Sequence, residues 1–207
     1  MMPLVLLDYS STLVFALTGA LVASRAQLDV VGFAFLAGLT GLGGGTLRDL
    51  LLDRTPIWIA DPTYLAVVTG AAVLVFFTAH LIESRLKAIY WLDALALGIA
   101  VAAGSGVAQR MGMPAEVVLV MGIATGCAGG LARDVVANEV PLVLKQGELY
   151  VTCALAGSLA TVVADTLGAP PALTAALAAV VTIGLRAGSL ALGWKLPVYR
   201  PRPPRSR

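Results

Sequence analysis

A chain of 207 residues that is 58% hydrophobic and 13% charged, with a formal net charge of +2, is too apolar for an ordinary soluble domain. Its charges fall between apolar stretches of roughly 17 to 24 residues, the length at which a helix at ~1.5 Å per residue crosses about 30 Å of hydrocarbon. Barrel strands are about half as long and alternate, so the composition and run length point to an all-α integral membrane protein.

The apolar runs lie at roughly 8–24, 29–52, 61–80, 90–109, 114–137, 146–165 and 171–191, predicting seven transmembrane helices in a single domain over 1–192. The first run has no Lys or Arg before it and merges into a full-length span, so it is expected to be retained rather than cleaved as a secretory signal. The second and fifth runs carry glycine clusters and an Arg-Asp pair, which lower their apparent hydropathy, but their lengths still argue for spanning. Cys127 and Cys153 fall inside predicted spans, where a small apolar role is expected. His80 is the only histidine, so no metal cluster can be assembled, and Ser105 and Ser158 lack a histidine base for hydrolysis. No enzymatic activity and no cofactor are expected. The tail at 193–207 combines prolines with closely spaced Lys and Arg and is expected to be extended, solvated and close to anionic lipid headgroups, rather than bound to nucleic acid.

Lys and Arg accumulate in cytoplasmic loops. With the amino terminus outside, the cytoplasmic side holds Arg25, Arg85, Lys87, Arg133, Lys145, Lys195 and the tail arginines, while the outside keeps Arg48, Arg54 and Arg110. Arg186 is left within the last span. The carboxyl terminus is then cytoplasmic.

The stretch GLGGGTLRD at 41–49 returns as GCAGGLARD at 126–134, sharing the frame GxxGGxxRD. Sliding the chain by 85 positions also aligns Asp8 with Asp93, Gly19 with Gly104, Arg25 with Arg110, Thr40 with Thr125 and Pro56 with Pro141. This predicts a duplicated unit, about 8–80 and 90–165, each of three spans. An odd number of spans inserts the second copy upside down, giving an inverted 3+3 repeat with a seventh helix added.

Positions four and eight apart share a helix face. Thr40, Gly44 and Arg48 therefore form one stripe and Gly41, Gly45 and Asp49 its neighbour, repeated by Thr125, Gly129 and Arg133 beside Gly126, Gly130 and Asp134. Two readings of the glycines stand side by side. Gly41 with Gly45, and Gly126 with Gly130, make the small-xxx-small pattern of close helix packing. Alternatively, Gly43, Gly44 and Gly45 each give up about 1 kcal/mol of helix preference relative to Ala, predicting that the second and fifth helices are broken there, with a hydrated path between them.

The charges need partners, because an ionisable group at membrane depth costs roughly 2.5–3.5 kcal/mol. Arg48 and Asp49 point about 100° apart on a helix and are not expected to satisfy one another. Asp8 and Asp93 are the expected partners, each making an Asp/Arg/Asp triad with one net negative charge. A phosphate-cradling loop is excluded for GLGGGTLRD, since no Lys-Ser/Thr follows and no strand precedes it.

The two GxxGGxxRD frames, the 3+3+1 organisation and the basic tail resemble the prokaryotic branch of the trimeric intracellular cation channel family, over about Asp8 to Leu192. Related bacterial sequences carry a glycine-transporter label. The resemblance implies a homotrimer in a prokaryotic plasma (inner) membrane, with one potassium-conducting pore in each subunit. It also implies kinks at Gly43, Gly44 and Gly45 and at Gly129 and Gly130, although Ala128 stands opposite Gly43. The expected function is a passive cation channel; the alternative is a carrier of a small zwitterion such as glycine, using the same helices.

Overall fold

The computed structural model describes residues 2–82 and 84–199, so Arg200, Arg202, Arg205 and Arg207 of the basic tail lie outside the described residues. The long helices are α1 (Met2–Arg25), α2 (Val30–Leu51), α3 (Thr63–Thr78, extended by a 3-10 turn Ala79–Leu81), α4 (Arg85–Arg110), α5 (Ala115–Val136), α6 (Val151–Thr166) and α7 (Pro171–Leu192). Six of them are long and apolar enough to cross a membrane, and α6 is a shorter apolar helix. At ~1.5 Å per residue the 16 residues of α6 reach about 24 Å. It starts later than the expected 146 because Gly147 sits at φ 79° and Glu148 is drawn away to Arg186.

Helix ends follow local chemistry, at matching points in the two units. Asp29 caps α2 by accepting the Gly32 amide at 2.8 Å. Chain reversal after α2 and α5 places Asp53 (φ 53°) and Asn138 (φ 55°) in the left-handed region, where Asp and Asn are tolerated better than other side chains. α7 ends at Gly193, also left-handed, with its amide returning to the Ser189 carbonyl.

Helices α1, α2 and α3 pack against one another, as do α4, α5 and α6. The two groups meet through α1 on α4 and α2 on α5, and α7 lies against α4 and α6. α4 is deeply enclosed along its second half, with residues from Val101 to Ala108 all buried. The carboxyl end of α2 meets the start of α1 through Arg48 and Asp8, whereas beyond the end of α5 Glu139 meets Arg25 at the finish of α1. α2 and α5 therefore end at opposite ends of the bundle.

The tail begins as expected, extended and exposed, but it is not simply solvated. Lys195 pairs with Glu148 in an antiparallel bridge, and the Leu196 amide donates to the Gly147 carbonyl at 2.8 Å. Trp194 lies over the bare face of Gly188.

Candidate functional site

Both glycine clusters lie within unbroken helix. α2 is continuous from Val30 to Leu51 and α5 from Ala115 to Val136, so the breaks expected from glycine propensity are absent. Tertiary contact overrides the local preference here. A Cβ built on Gly44 would stand 2.1 Å from the Thr125 carbonyl oxygen, and one on Gly129 would stand 2.3 Å from that of Thr40. The two helices touch backbone to backbone, each supplying one hollow and one carbonyl. Water has no room at this level of the seam.

The surrounding glycines repeat the arrangement. A Cβ on Gly19 would meet Leu36 O at 2.3 Å and Thr40 Oγ1 at 2.5 Å; one on Gly104 would meet Met121 O at 2.6 Å and Thr125 Oγ1 at 2.4 Å. Gly41 faces the Thr12 carbonyl and Gly126 faces Val101 and Leu97. Thr40 and Thr125 turn their hydroxyls onto the carbonyls of Leu36 and Met121 in their own helices, each at 2.6 Å. Gly43 is the looser member, with only the Gly129 Cα at 3.5 Å, and Gly45 faces the Ile57 side chain.

At either end of this seam sits a buried triad. Arg48 Nη1 donates to Asp8 Oδ1 at 2.7 Å and its Nε to Asp49 Oδ1 at 2.9 Å. Arg133 does the same, Nη1 to Asp93 Oδ1 at 3.0 Å and Nε to Asp134 Oδ1 at 2.7 Å. The expected partners Asp8 and Asp93 are in place. The expectation that neighbouring Arg and Asp cannot meet is wrong, because the long guanidinium stem folds back and presents Nε sideways. Both arginines, Asp49 and Asp93 are fully enclosed, while Asp8 retains 9% exposure.

The second oxygens of Asp49 and Asp134 reach beyond the triads. They accept the amides of Ile57 and Leu142, at 3.0 and 2.9 Å, pinning the chain that leaves each helix. The sequence signal was present, since Pro56 and Pro141 stand in register just before these amides. Two tyrosines were missed. Tyr64 lies beside the first triad, stacked on Tyr9 at 4.0 Å, and Tyr150 lies beside the second. They are one position out of repeat register, which hid their common role. Tyr150 Oη and Asp93 Oδ2 lack hydrogen-bond partners among the described residues, and Tyr150 Oη lies with Asp93 Oδ1 in the cluster under Gly130.

The triads are not equivalent. Arg133 also donates to Thr18 at 2.9 Å, while Arg54, partly exposed, approaches Asp49 at 3.9 Å. Near the first triad, the Tyr9 hydroxyl donates to Asp61, and that bond holds the Asp61 carboxyl below its ordinary range. A cavity of about 340 Å³ opens beside the second, its walls including Val22, Ile89, Tyr90 and Leu142 and its lining reaching Arg133 and Asp134. Arg186, unpaired in the sequence, is fully buried; it donates to Glu148 at 2.7 Å and lies over the Tyr150 ring at 5.1 Å. Tyr150 contributes packing more than bonding. Tyr150→Phe is expected to change thermal stability by less than about 1 kcal/mol, since it removes an unpartnered hydroxyl, whereas Tyr150→Ala costs about 3–5 kcal/mol by leaving a cavity.

Comparison with known proteins agrees with this geometry. The family model described as Glycine transporter matches twice, at residues 5–80 and 90–166, one match per three-helix group. A UPF0126 membrane protein of Vibrio cholerae is 36% identical over 202 residues, covering 95% of this chain and 82% of its own. The inner membrane protein YadS of Escherichia coli K12 is 34% identical, covering 93% and 94%. The solved structure of the trimeric intracellular cation channel orthologue from Rhodobacter sphaeroides superposes with a TM-score of 0.90 at 40% identity, over 93% of this chain and all of that one. A prokaryotic channel of the same kind solved in 0.5 M KCl gives 0.87 at 26% identity, covering 93% and 98%. The chain is thus a multi-pass membrane protein of the glycine-transporter family, and its fold is that of the prokaryotic trimeric intracellular cation channels.

Proposed function

We propose that this protein is a passive cation-selective channel that conducts potassium, with a pore in each subunit framed by α2 and α5. The observation that carries the reading is the matched pair of Asp/Arg/Asp triads at opposite ends of one glycine seam. Each triad sets two carboxylates against one guanidinium, an arrangement that favours cations by the electrostatics of charged rings in pores. Arg48 and Arg133 are held by two carboxylates apiece and do not stand as free positive charges in the path. The likeness to cation channels of known structure supports the same reading.

The duplicated groups, ending at opposite ends of α1, fit an inverted repeat with α7 added. The structure is then a closed state in which the seam is sealed by backbone contact, and conduction requires α2 and α5 to part. The chain assembles as a homotrimer in the inner membrane, amino terminus outside and carboxyl terminus cytoplasmic, as the Lys and Arg distribution indicates.

Purified protein in a planar bilayer under a KCl gradient tests this. Unitary currents reversing near the potassium potential are expected; reversal near the chloride potential overturns the proposal. The match to the glycine-transporter family favours a second reading, a glycine carrier. Saturable counterflow of labelled glycine without unitary currents would establish that instead.

A further inference from the structure

The loop between α5 and α6 forms one wall of the 340 Å³ cavity and is tied to both three-helix groups. Toward the first, Arg25 in the last turn of α1 meets Glu139, Nη1 lying 3.0 Å from Oε1 and 3.2 Å from Oε2. Toward the second, Lys145 Nζ donates to the Tyr90 hydroxyl of α4 at 2.5 Å and lies 4.7 Å from that ring's centre. All four residues line the cavity, whose walls continue inward to Arg133 and Asp134.

The opposite end lacks their counterparts. In repeat register, Arg110 stands for Arg25 and Arg54 for Glu139, so the ion pair is replaced by two like charges. Ala60 stands for Lys145 and Val5 for Tyr90, so the second tie is replaced by apolar groups. The loop there is held by hydrogen bonds, Trp58 Nε1 to Thr46 Oγ1 at 3.0 Å and Tyr9 to Asp61. Among the described residues, no ion pair joins that loop to α1 or α4.

From this asymmetry we infer that Arg25, Glu139, Lys145 and Tyr90 form a charge-sensitive latch, and that the Arg133 end of the molecule is the end at which access to the seam is controlled. The inference rests on the channel reading for its ionic traffic, but the opening itself is a property of the loop. Arg25 and Glu139 have about a third of their side-chain surface exposed, at 32% and 39%. Such pairs shift an equilibrium by no more than roughly fivefold and weaken with salt, over a screening length near ~8 Å at physiological ionic strength. A latch of this strength releases readily, whereas the enclosed triads beneath it stay paired. Rising salt on this side loosens it.

Two measurements on purified, bilayer-reconstituted protein test the latch. The first compares Glu139→Gln, Arg25→Gln and the charge-swapped double variant Arg25→Glu/Glu139→Arg. The single variants are expected to raise open probability roughly two- to fivefold, and the swap to return it towards the parent. The second needs no current. Ile89→Cys places a thiol in the cavity wall, where the parent residue is 3% exposed, and its labelling by a cationic thiol reagent reports opening. Labelling is expected to accelerate by a similar factor when Glu139→Gln is added, and with salt in Ile89→Cys alone. A swap that behaves like the single variants, or labelling that Glu139→Gln leaves unchanged while the parent conducts cations, overturns the latch. Faster labelling in a protein that passes no cation current keeps the latch and overturns the channel reading.

Discussion

Gly44→Ala and Gly129→Ala lower the thermal unfolding midpoint of the detergent-purified protein by roughly 6–12 °C, corresponding to about 3 kcal/mol for a chain of this size. The added methyl has nowhere to go, since it would lie 2.1 or 2.3 Å from a carbonyl oxygen that is itself fixed in a helix. A flexible side chain would yield; these acceptors cannot. Gly43→Ala supplies the control, because its methyl makes ordinary contact at 3.5 Å and gains about 1 kcal/mol of helix preference. Gly70→Ala, within α3, meets nothing within 4 Å and is the reference for that gain in helix preference free of any new contact. If the glycines served as a hinge within a single helix, Gly43 and Gly44 would respond alike, in gating before stability. Midpoints that fall together for Gly43 and Gly44, or not at all, would remove the packing seam.

Arg133→Met is expected to cost about 3–5 kcal/mol, because it leaves Asp93 and Asp134 facing each other without a cation in an enclosed site. Asp93→Asn costs less, for Arg133 keeps Asp134 and Thr18. Adding Asp93→Asn to Arg133→Met recovers part of the loss, a coupling of roughly 0.5–3 kcal/mol in a double-mutant cycle. Asp8→Asn is milder than Asp93→Asn, since Asp8 retains solvent contact and Asp93 has none. Equal penalties for the two asparagines would mean that burial does not decide the strength of these triads.

Six of the seven spans, the duplication and the partners Asp8 and Asp93 were legible in the sequence because each leaves a regular signal: run length, register, or a charge that demands an opposite one. What was hidden depends on side-chain reach and on neighbours remote in sequence. The 100° between Arg48 and Asp49 describes Cβ directions, and a guanidinium several bonds away is not bound by it. Glycine propensity argued for a break at Gly44, but propensity describes a lone helix, and α2 stays continuous where it packs on α5. Tyr64 and Tyr150 occupy one kind of place from different repeat positions, so alignment alone did not pair them. Arg186 looked unpartnered because its acceptor, Glu148, was placed inside the predicted span rather than in the loop before it.

The crossing of α2 and α5 has the property of an isologous contact: Thr40 meets Gly129 while Thr125 meets Gly44, so one patch serves as both faces. A surface of that kind does not need two different partners. A single three-helix unit bearing a threonine and, four residues on, a glycine would bind an oppositely oriented copy of itself through the same carbonyls and the same hollows. The seam inside this chain is in that sense a two-fold dimer interface whose two halves have been joined by a peptide linker, and each half remains constrained to fit what the other has kept.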